Sequence, residues 1–406
     1  MSSLIDLCKI NTFDNYIQTI AYTKNPKKVF LDGRMQDTSS IDRSLTYKSW
    51  QPFGDEELNC EYAMFYVNGD HFSNYLSEED KSLFNALMEK RQAYLESFRI
   101  SKLDVTRASL TDLMPESFLN KYFDLMNKAT KQVFASFKRP ENYQFLVDEY
   151  NLIDEISTRK MNLKFTSDAM SNPRYKKAYM NRDTDNFIFY DMFKTATGRL
   201  TIHPKTFPIL NLDQDLKKAV YPTNDLFIEF DYNSAEIRVL NSLCSIDVGE
   251  DDIHWWAAKN IFNNEDRELT KRLFFAWLYN PEKKNEQLDK FYKRDEILEK
   301  YHKNGIIITP FKRELKADSY HALNYLLQST SSDLTIDSAV KIRKRLKNTK
   351  SFVAFMVHDS IVIDASMEDV ELIKELYQTI YLKTELGDMV ATLSAGDCYG
   401  NLRVIQ

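Results

Sequence analysis

The sequence has little cysteine, glycine or proline for its 406 residues, and it has no long hydrophobic run. Its four cysteines lie far apart without a CxxC pair, which argues against a zinc site and against a disulfide framework. No apolar run approaches the roughly 20 residues that span a bilayer, and the first residues lack the basic and apolar regions of a signal peptide. The nine glycines and ten prolines form no low-complexity linker. We therefore expect a cytoplasmic protein that does not associate with membranes.

The composition is that of a large globular protein. Hydrophobic residues make up 43% of the chain and charged residues 28%, which is enough for a core divided among two or three subdomains. The net charge of −6 argues weakly against a general binder of polyanions. A cluster of basic residues is more often a solvated helix face than a phosphate-binding surface, so clusters alone do not decide the function. Such clusters, several with aromatic residues between the basic ones, occupy residues 89–102, 158–165, 173–182 and 341–350.

Hydrophobic periodicity predicts two helical blocks separated by β-rich segments. In the first block, a serine N-cap followed by acidic residues marks the helix start. The pattern indicates a sheet that is interrupted by a helical insertion and completed near the C-terminus. Short strands and loops are expected over residues 1–75, helices over 76–98, 114–137, 141–161, 251–303 and 366–382, β-rich runs over 186–200 and 225–243, and a strand over 352–364.

Two aspartates lie at or near the ends of apolar strands. Asp359 interrupts the run FVAFMVHDSIV (352–362), and Asp231 ends the run LFIEFD. An ionised carboxylate in such a run is costly unless a metal, a partner charge or a turn to solvent compensates. Side by side in one sheet, the two carboxylates would suit hard cations such as Mg²⁺, which take oxygen ligands shared with phosphates. The alternative is that each aspartate merely ends a strand.

A third feature lies between the two aspartates, in the predicted helix DRELTKRLFFAWLYNP (266–281). Two basic and two aromatic residues of this helix are each four positions apart, so their side chains follow one helix face over about 18 Å. Cations at one end of this face can hold phosphates, and aromatic rings at the other can contact bases, as a nucleoside triphosphate requires. A generic amphipathic helix is the alternative, although it would more often place aliphatic residues there. The set consists of Arg267, Lys271, Phe275 and Tyr279.

These features, taken together, resemble the polymerase domain of family A DNA polymerases, the bacterial DNA polymerase I type. Motif A of that family is similar to DYNSAEIRVL (231–240), motif B, of the form RxxxKxxxFxxxYG, to RELTKRLFFAWLYN (267–280), and motif C to VHDS (357–360). TATGRL (195–200) and NYLLQ (324–328) resemble two further signatures. The resemblance covers residues 76–406, and the motifs follow the order of the family.

The resemblance implies a metal centre and a triphosphate site. Asp231 and Asp359 match the aspartates that bind two Mg²⁺ ions, with Mn²⁺ as a substitute. Lys271 and Arg267 match residues that hold the incoming triphosphate, and Lys271 also matches the group that protonates the pyrophosphate. His254, in DIHWW, matches a phosphate-contacting histidine. The catalytic residues implied are Asp231, Asp359 and Lys271.

The resemblance also implies residues that select the nucleotide and hold the DNA. Phe275 matches a residue that packs on the sugar and base, and Tyr279 matches one on the template side of the nascent pair. Glu236 matches the steric gate, whose bulk rejects a 2′-hydroxyl. The residues expected to contact primer and template are Arg199, Asn324 and Gln328 in the minor groove, and His358 near the primer end.

Four positions depart from the family pattern. Ser360 replaces the Glu that ordinarily ends motif C, so we expect an altered metal preference rather than an inactive protein. Asn280 replaces the Gly after motif B, and Asn tolerates a left-handed backbone at a helix end. Ser234 stands in place of a common Gln, and Tyr320 in place of an Arg, so part of the family's minor-groove contacts is not expected here.

The fold implied is an α+β right-hand polymerase fold with an antiparallel-sheet palm, helical fingers inserted in the palm and a helical thumb. The N-terminal region has no set of metal-binding carboxylates and is too small for a proofreading exonuclease. We expect it to brace the thumb, with docking of a partner as the alternative. The implied divisions are residues 1–75 for this region, 76–165 for the thumb, 166–240 for the first part of the palm, 241–318 for the fingers and 319–406 for the rest of the palm.

The function implied is that of a DNA-directed DNA polymerase that extends a DNA primer with dNTPs and lacks its own proofreading exonuclease. We expect a monomer, encoded by a phage and acting in the host cytoplasm, with primer-template DNA, dNTPs and a separate exonuclease or other replisome proteins as partners. The nearest alternative is a single-subunit phage-type RNA polymerase, which chain length and Glu236 disfavour. A catalytically silent DNA-binding subunit is the other, and the intact aspartate pair disfavours it.

Overall fold

The computed structural model describes residues 15–18, 28–53, 57–103, 110–181, 186–204, 206–249, 252–280 and 282–405. It divides into two compact units, which end and begin at Tyr143 and Gln144. This boundary falls inside the segment expected to form the thumb, and the domain limits given above remain predictions. Parts of the region 1–75, residues 104–109 of the expected thumb, residue 182 of a basic cluster, and residues 251 and 281 of the expected helical insertion lie outside the described residues.

The first unit packs helices around an aromatic core. Ser77 starts its longest helix by accepting a hydrogen bond from the backbone N–H of Asp80, with acidic residues filling the first turn. Phe30 and Phe123 stack in the core with ring centroids 5.6 Å apart. Its strands are β1 (Ile17–Gln18), β2 (Lys28–Leu31), β3 (Arg34–Asp37), β4 (Tyr47–Ser49) and β5 (Cys60–Tyr62), and its helices are α1 (Ala63–Tyr66), α2 (Glu78–Ile100), α3 (Leu110–Leu113) and α4 (Glu116–Ser136).

The second unit is organised around one sheet. Its helices are α5 (Tyr143–Ser157), which begins at the unit boundary, α6 (Pro173–Met180), α7 (Gln214–Lys218), α8 (Ala235–Leu243), α9 (Ile253–Ala257), α10 (Arg267–Tyr279), α11 (Glu286–Tyr292), α12 (Arg294–Tyr301), α13 (Ala322–Leu346) and α14 (Val370–Leu376). Its strands are β6 (Asn162–Leu163), β7 (Tyr190–Asp191), β8 (Thr201–Ile202), β9 (Val220–Tyr221), β10 (Leu226–Tyr232), β11 (His302–Lys303), β12 (Ile306–Ile308), β13 (Glu314–Lys316), β14 (Phe352–Val357), β15 (Ser360–Ala365), β16 (Lys383–Thr384), β17 (Gly387–Asp388), β18 (Ala391–Gly396) and β19 (Arg403–Val404). Two π-helical turns cover Ala258–Phe262 and Tyr377–Tyr381.

The central sheet is antiparallel, with strand order β14-β15-β10-β18-β19. β15 is buried along its whole length, so its apolar run SIVIDA suits the middle of a covered sheet. In β10, Asp231 pairs with Ser360 of β15 on one side and with Thr392 of β18 on the other. The expected sheet, interrupted by helices and completed near the C-terminus, is confirmed.

The helix α13 runs against this sheet and against α8, and it is buried on most sides. Two of its buried hydroxyl groups are satisfied within the helix, because Thr330 donates to the carbonyl of Leu326 at 2.7 Å and Thr335 to that of Ser331 at 3.1 Å. A long helix with polar residues inside the fold can therefore carry functional groups into the interior.

Some expectations about local structure are wrong. The second half of the β-rich run expected over 225–243 forms the helix α8, and Asn280 ends α10 in an extended conformation rather than a left-handed one. The single strand expected over 352–364 is a hairpin, in which His358 and Asp359 form the turn between β14 and β15. The expected helices over 76–98, 114–137 and 141–161 correspond to α2, α4 and α5. Among the described residues, Cys60, Cys244 and Cys398 are free thiols, and no helix there has the length and apolar character to cross a bilayer.

Candidate active site

The hairpin turn carries Asp359 to the edge of the sheet. Val357 pairs with Ser360, so two residues form the turn, and His358 takes the left-handed conformation with φ of 54°. The buried hydroxyl of Tyr381 lies 2.7 Å from the carbonyl oxygen of Asp359. The same hydroxyl lies 3.0 Å from a carbonyl oxygen of β10, so Tyr381 ties the turn to that strand.

β10 places Asp231 beside this turn, opposite Ser360. Burial and the charge of Asp359 raise the pKa of Asp231 to about 6, although part of its side chain stays open to solvent. Burial also raises the pKa of Asp359, and Arg199, followed by His358, opposes that rise. The structure therefore brings together the two aspartates that were predicted to form one site.

The donor set of this pair suits a divalent cation. Neither Asp231 nor Asp359 forms an ion pair within the part of the chain that the structure describes. In the same part, no group of three or more His, Cys, Asp or Glu side chains converges on a metal position. Mg²⁺ is usually held by one or two carboxylates, with substrate phosphates and waters completing its shell. The pair therefore fits Mg²⁺ that would share its shell with a phosphate substrate.

Glu236 joins two other predicted residues next to the pair. In the first turn of α8, its carboxylate accepts a hydrogen bond from the hydroxyl of Tyr279 and forms an ion pair with Arg199. Glu236 is 8% exposed, and burial raises its pKa, to which the charge of Asp359 adds. Arg199 also lines a cleft together with His358 and Asp359. The expected steric gate thus lies at the aspartate pair.

The first residues of the helices α9 and α10 present the predicted phosphate-binding groups. The guanidinium of Arg267 forms an ion pair with Asp252 at 2.8 Å. His254 is 3% exposed, and its Nδ1 has no hydrogen-bond partner within the described chain. Burial lowers the pKa of His254; Asp252 opposes this, while Arg267 and Lys271 lower it further. Lys271 forms no ion pair with any other described residue and so remains available to an anion.

The two aromatic residues of the predicted set also lie on one face of α10. The rings of Phe275 and Tyr279 stack with centroids 5.7 Å apart and an angle of 7°. His254 lies 5.8 Å from Phe275, which connects this aromatic pair to the phosphate-binding groups. The four residues of the predicted set therefore form one continuous surface of α10. This surface begins with the two basic residues, continues with the two aromatic rings and ends at Glu236.

The predicted minor-groove residues of α13 lie on the face that reaches Asp359. Asn324, Gln328 and Ser331 are spaced by four and three residues, which places them on one side of the helix. The amide of Gln328 donates to the side-chain oxygen of Asn324. Ser331 Oγ lies 3.4 Å from Asp359 Oδ1. Tyr320, just before the helix, is exposed, and its departure from the family pattern is not explained by any contact here.

Three residues at this site were not found from the sequence. Tyr381 fixes the Asp359 turn from a π-helical turn far along the chain, and its role depends on a tertiary contact without a local pattern. Ser331 is one of several hydroxyl residues in α13, and only the run STSSD in a buried helix hints at it. Glu229, two residues before Asp231, lies 3.3 Å from Ser360 Oγ, and the charge in the apolar run LFIEFD was an available signal.

Comparisons with known proteins agree with this arrangement. No model of a known protein family matches the chain. DNA polymerase I of Caldicellulosiruptor bescii is 23% identical over 48% of this chain, and the chain spans 29% of the length of that protein. The POL domain of Pol1 from M. smegmatis, solved in complex with DNA primer-template and dNTP, matches with a TM-score of 0.54 and 12% identity over 95% of both chains.

The chain therefore has the fold of this POL domain. The α+β class and the antiparallel sheet expected for the palm are thereby confirmed. The segments that resemble motifs A and C meet at Asp231 and Asp359, and the segment that resembles motif B forms α10. The roles assigned to single residues remain predictions.

Proposed function

We propose that this chain is a template-directed DNA polymerase that extends a DNA primer with dNTPs and releases pyrophosphate. The observation that carries the proposal is the unpaired carboxylate pair, Asp231 and Asp359, at the edge of the sheet. The Glu236 network lies next to this pair and meets the end of α10. A DNA-binding subunit without activity would have no use for two repelling carboxylates placed beside a triphosphate-binding helix.

The aspartates would hold two Mg²⁺ ions, with Mn²⁺ as a substitute, which would lower the pKa of the primer 3′-hydroxyl and neutralise charge on the leaving pyrophosphate. Lys271 and Arg267 bind the triphosphate, and Lys271 supplies the proton that pyrophosphate takes up. Because Arg267 is paired with Asp252, phosphate binding involves an exchange of partners. His254 lies beside both cations and offers a buried ring nitrogen to a phosphate oxygen.

The surface formed by α10 and Glu236 would also contact the nucleotide, and residues next to it would contact the DNA. Phe275 packs on the sugar and base, Tyr279 lies at the template side of the nascent pair, and Glu236 stands where a 2′-hydroxyl would project. Contacts common to all correct pairs let the polymerase check pair shape in the minor groove. The groups that make these contacts are Arg199, Asn324, Gln328 and, near the primer end, His358.

The larger organisation is part of the proposal. We assign the sheet to the palm, the helices between Leu240 and β13 to compact fingers, and the helices from α2 to α5 to the thumb. Rotation of the fingers would carry α10 onto a correct pair and so complete the site. The chain acts as a monomer without a proofreading activity of its own, which leaves proofreading to a separate exonuclease.

A primer-extension assay tests the proposal directly. With Mg²⁺ and a labelled DNA primer on a DNA template, the chain should extend the primer with dNTPs. It should not extend it with rNTPs, and a mismatched 3′ end should stay undegraded without dNTPs. Extension with rNTPs alone would favour the RNA polymerase alternative. Tight primer-template binding without extension would favour the silent subunit.

Replacing Glu236 by Ala should relax sugar discrimination. The variant removes the buried carboxylate that fills the space beside Tyr279, so a 2′-hydroxyl would no longer be excluded. We expect the ratio of incorporation efficiencies for dNTP over rNTP to fall at least about 10-fold, the scale of discrimination by pocket shape. The measurement is kcat/KM for each nucleotide in single-nucleotide extension.

Glu236→Gln is the matched control, because it keeps the volume of the side chain and removes its charge. It should preserve most of the discrimination, since exclusion depends on bulk. Equal loss in both variants would assign discrimination to the ion pair with Arg199 instead of to steric exclusion.

A further inference from the structure

Ser360 and Glu229 form a pair across two neighbouring strands of the sheet. Ser360 begins β15 and lies opposite Asp231 in register. Glu229 precedes Asp231 by two residues in β10, so both side chains project from the same face of the strand. The hydroxyl of Ser360 lies 3.3 Å from Oε1 of Glu229 and 3.1 Å from the carbonyl oxygen of Val357. Glu229 is thus held at the acidic centre by a residue of the motif C hairpin.

The position of Glu229 is unfavourable without a cation. It is half-buried on the same strand face as Asp231, where like charges repel. Among the described residues, its carboxylate accepts a hydrogen bond from the Ser360 hydroxyl and forms no ion pair. Lys217 acts on both Glu229 and Asp231 electrostatically, and its ammonium lies 5.1 Å from the ring of Tyr399. Arg199 acts on Asp359 as well, but it is already paired with Glu236. Lys217 alone therefore faces Glu229 and Asp231, so these two carboxylates keep a surplus of negative charge.

We propose that Glu229 is the third carboxylate of the metal centre, supplied by β10 in place of the one that motif C lacks at Ser360. The inference rests on the proposed function. Glu229 does not converge with the aspartates on one metal position, so it acts through the water shell of the cation. Mg²⁺ keeps several of its waters in protein sites, and a carboxylate that accepts hydrogen bonds from them strengthens binding without direct coordination. Ser360 is the positioning residue that fixes the Glu229 side chain.

This assignment changes the expectation about metal use. If the third carboxylate had to come from motif C, the serine at position 360 would predict an altered metal preference. With Glu229 in that role, the centre keeps its negative charge and Mg²⁺ remains a suitable ion. The two positions should therefore be exchangeable, since a carboxylate at 360 and a hydroxyl at 229 would restore the same pair on opposite strands.

Direct metal binding tests the proposal. The full chain is bound to primer-template with a dideoxy-terminated primer and the matching dNTP, so that no reaction occurs. Mn²⁺ binding is then followed by the electron paramagnetic resonance signal of the free ion. Glu229→Gln should weaken Mn²⁺ binding about 10-fold, the lower end of the effect of groups that support metal ligands. Glu229→Ser combined with Ser360→Glu should recover most of that loss, and Glu371→Gln, an equal charge change on an exposed helix, should have no effect.

The outcomes separate this inference from the proposed function. Asp231→Asn should abolish tight Mn²⁺ binding; if wild type and Asp231→Asn bind Mn²⁺ equally weakly, the proposed function itself fails. If Asp231→Asn loses binding while Glu229→Gln binds as wild type does, Glu229 has no role at the metal and the inference is overturned. A Glu229→Gln defect that the exchanged pair fails to repair would likewise overturn the assignment, because it would mark Glu229 as structural.

Discussion

Asp359→Asn is expected to reduce dNTP incorporation by at least about 1,000-fold, because several kcal/mol of metal-dependent stabilisation are lost and each 1.36 kcal/mol is a factor of ten. Asn has nearly the same shape as Asp, and the backbone carbonyl that receives the Tyr381 hydroxyl is unchanged. The hairpin turn should therefore persist while the charge disappears. The measurements are the single-turnover rate of primer extension and the dissociation constant for primer-template DNA, which should change little.

Asp388→Asn is the matched control for this experiment. Asp388 is exposed in the short β17 strand, outside the site, and the substitution makes the same change of charge. Its extension rate should equal that of the wild type. An Asp359→Asn protein that still extended primers at the wild-type rate would remove Asp359 from the chemistry, whereas parallel losses of rate and of DNA binding would point to a structural defect.

The residues of the candidate site could be predicted from the sequence because their signals are local. The four-residue spacing from Arg267 to Tyr279 is a property of one helix, and the structure confirms that these residues share a face. The two aspartates stood out because charge is rare inside apolar runs. Their proximity was an expectation that the register of β10 and β15 now confirms.

The rest depended on contacts between distant parts of the chain. A two-residue hairpin turn normally carries Asn or Gly where φ is positive, but here His358 takes that conformation, so the run read as one strand. Nothing near Asp359 in sequence indicates Tyr381, which holds the turn. In the sequence, Ser360 indicates only the loss of a carboxylate. The pairing of β10 with β15 places the carboxylate of Glu229 beside it.

A buried ionic network supports the loop that contains Arg199. Arg313 is 3% exposed and its guanidinium binds Asp333 through two nitrogens, with the shortest contact at 2.6 Å, and Glu149 at 3.3 Å. It packs under Gly198, whose φ is 72° and where an added Cβ would come within 2.6 Å of the guanidinium carbon. Any side chain at this glycine would displace Arg313, so the loop and the network depend on each other.

Arg313→Met is expected to lower the free energy of unfolding by about 3–5 kcal/mol, since removing one partner leaves buried carboxylates without a cation. Replacing the whole network with Arg313→Met, Glu149→Leu and Asp333→Leu should recover most of this loss, because apolar groups of similar volume need no partner. Urea denaturation followed by circular dichroism measures both effects. An Arg313→Met protein as stable as the wild type would show that the network contributes to the specificity of the fold without contributing to its stability.

The effect of Arg313→Met should depend on pH in a defined direction. Burial raises the pKa of Glu149 to about 8 even beside Arg313, so between its unfolded value and pH 8 the folded protein binds more protons than the unfolded chain. Stability from this group therefore decreases as pH rises through that window. Without the guanidinium, protonated carboxyls are favoured further, so the destabilisation should be smaller near pH 5 than near pH 8. A loss of stability that is equal at both values would mean that the carboxyls do not change their protonation in the variant, and that lost packing of the arginine side chain is the cause.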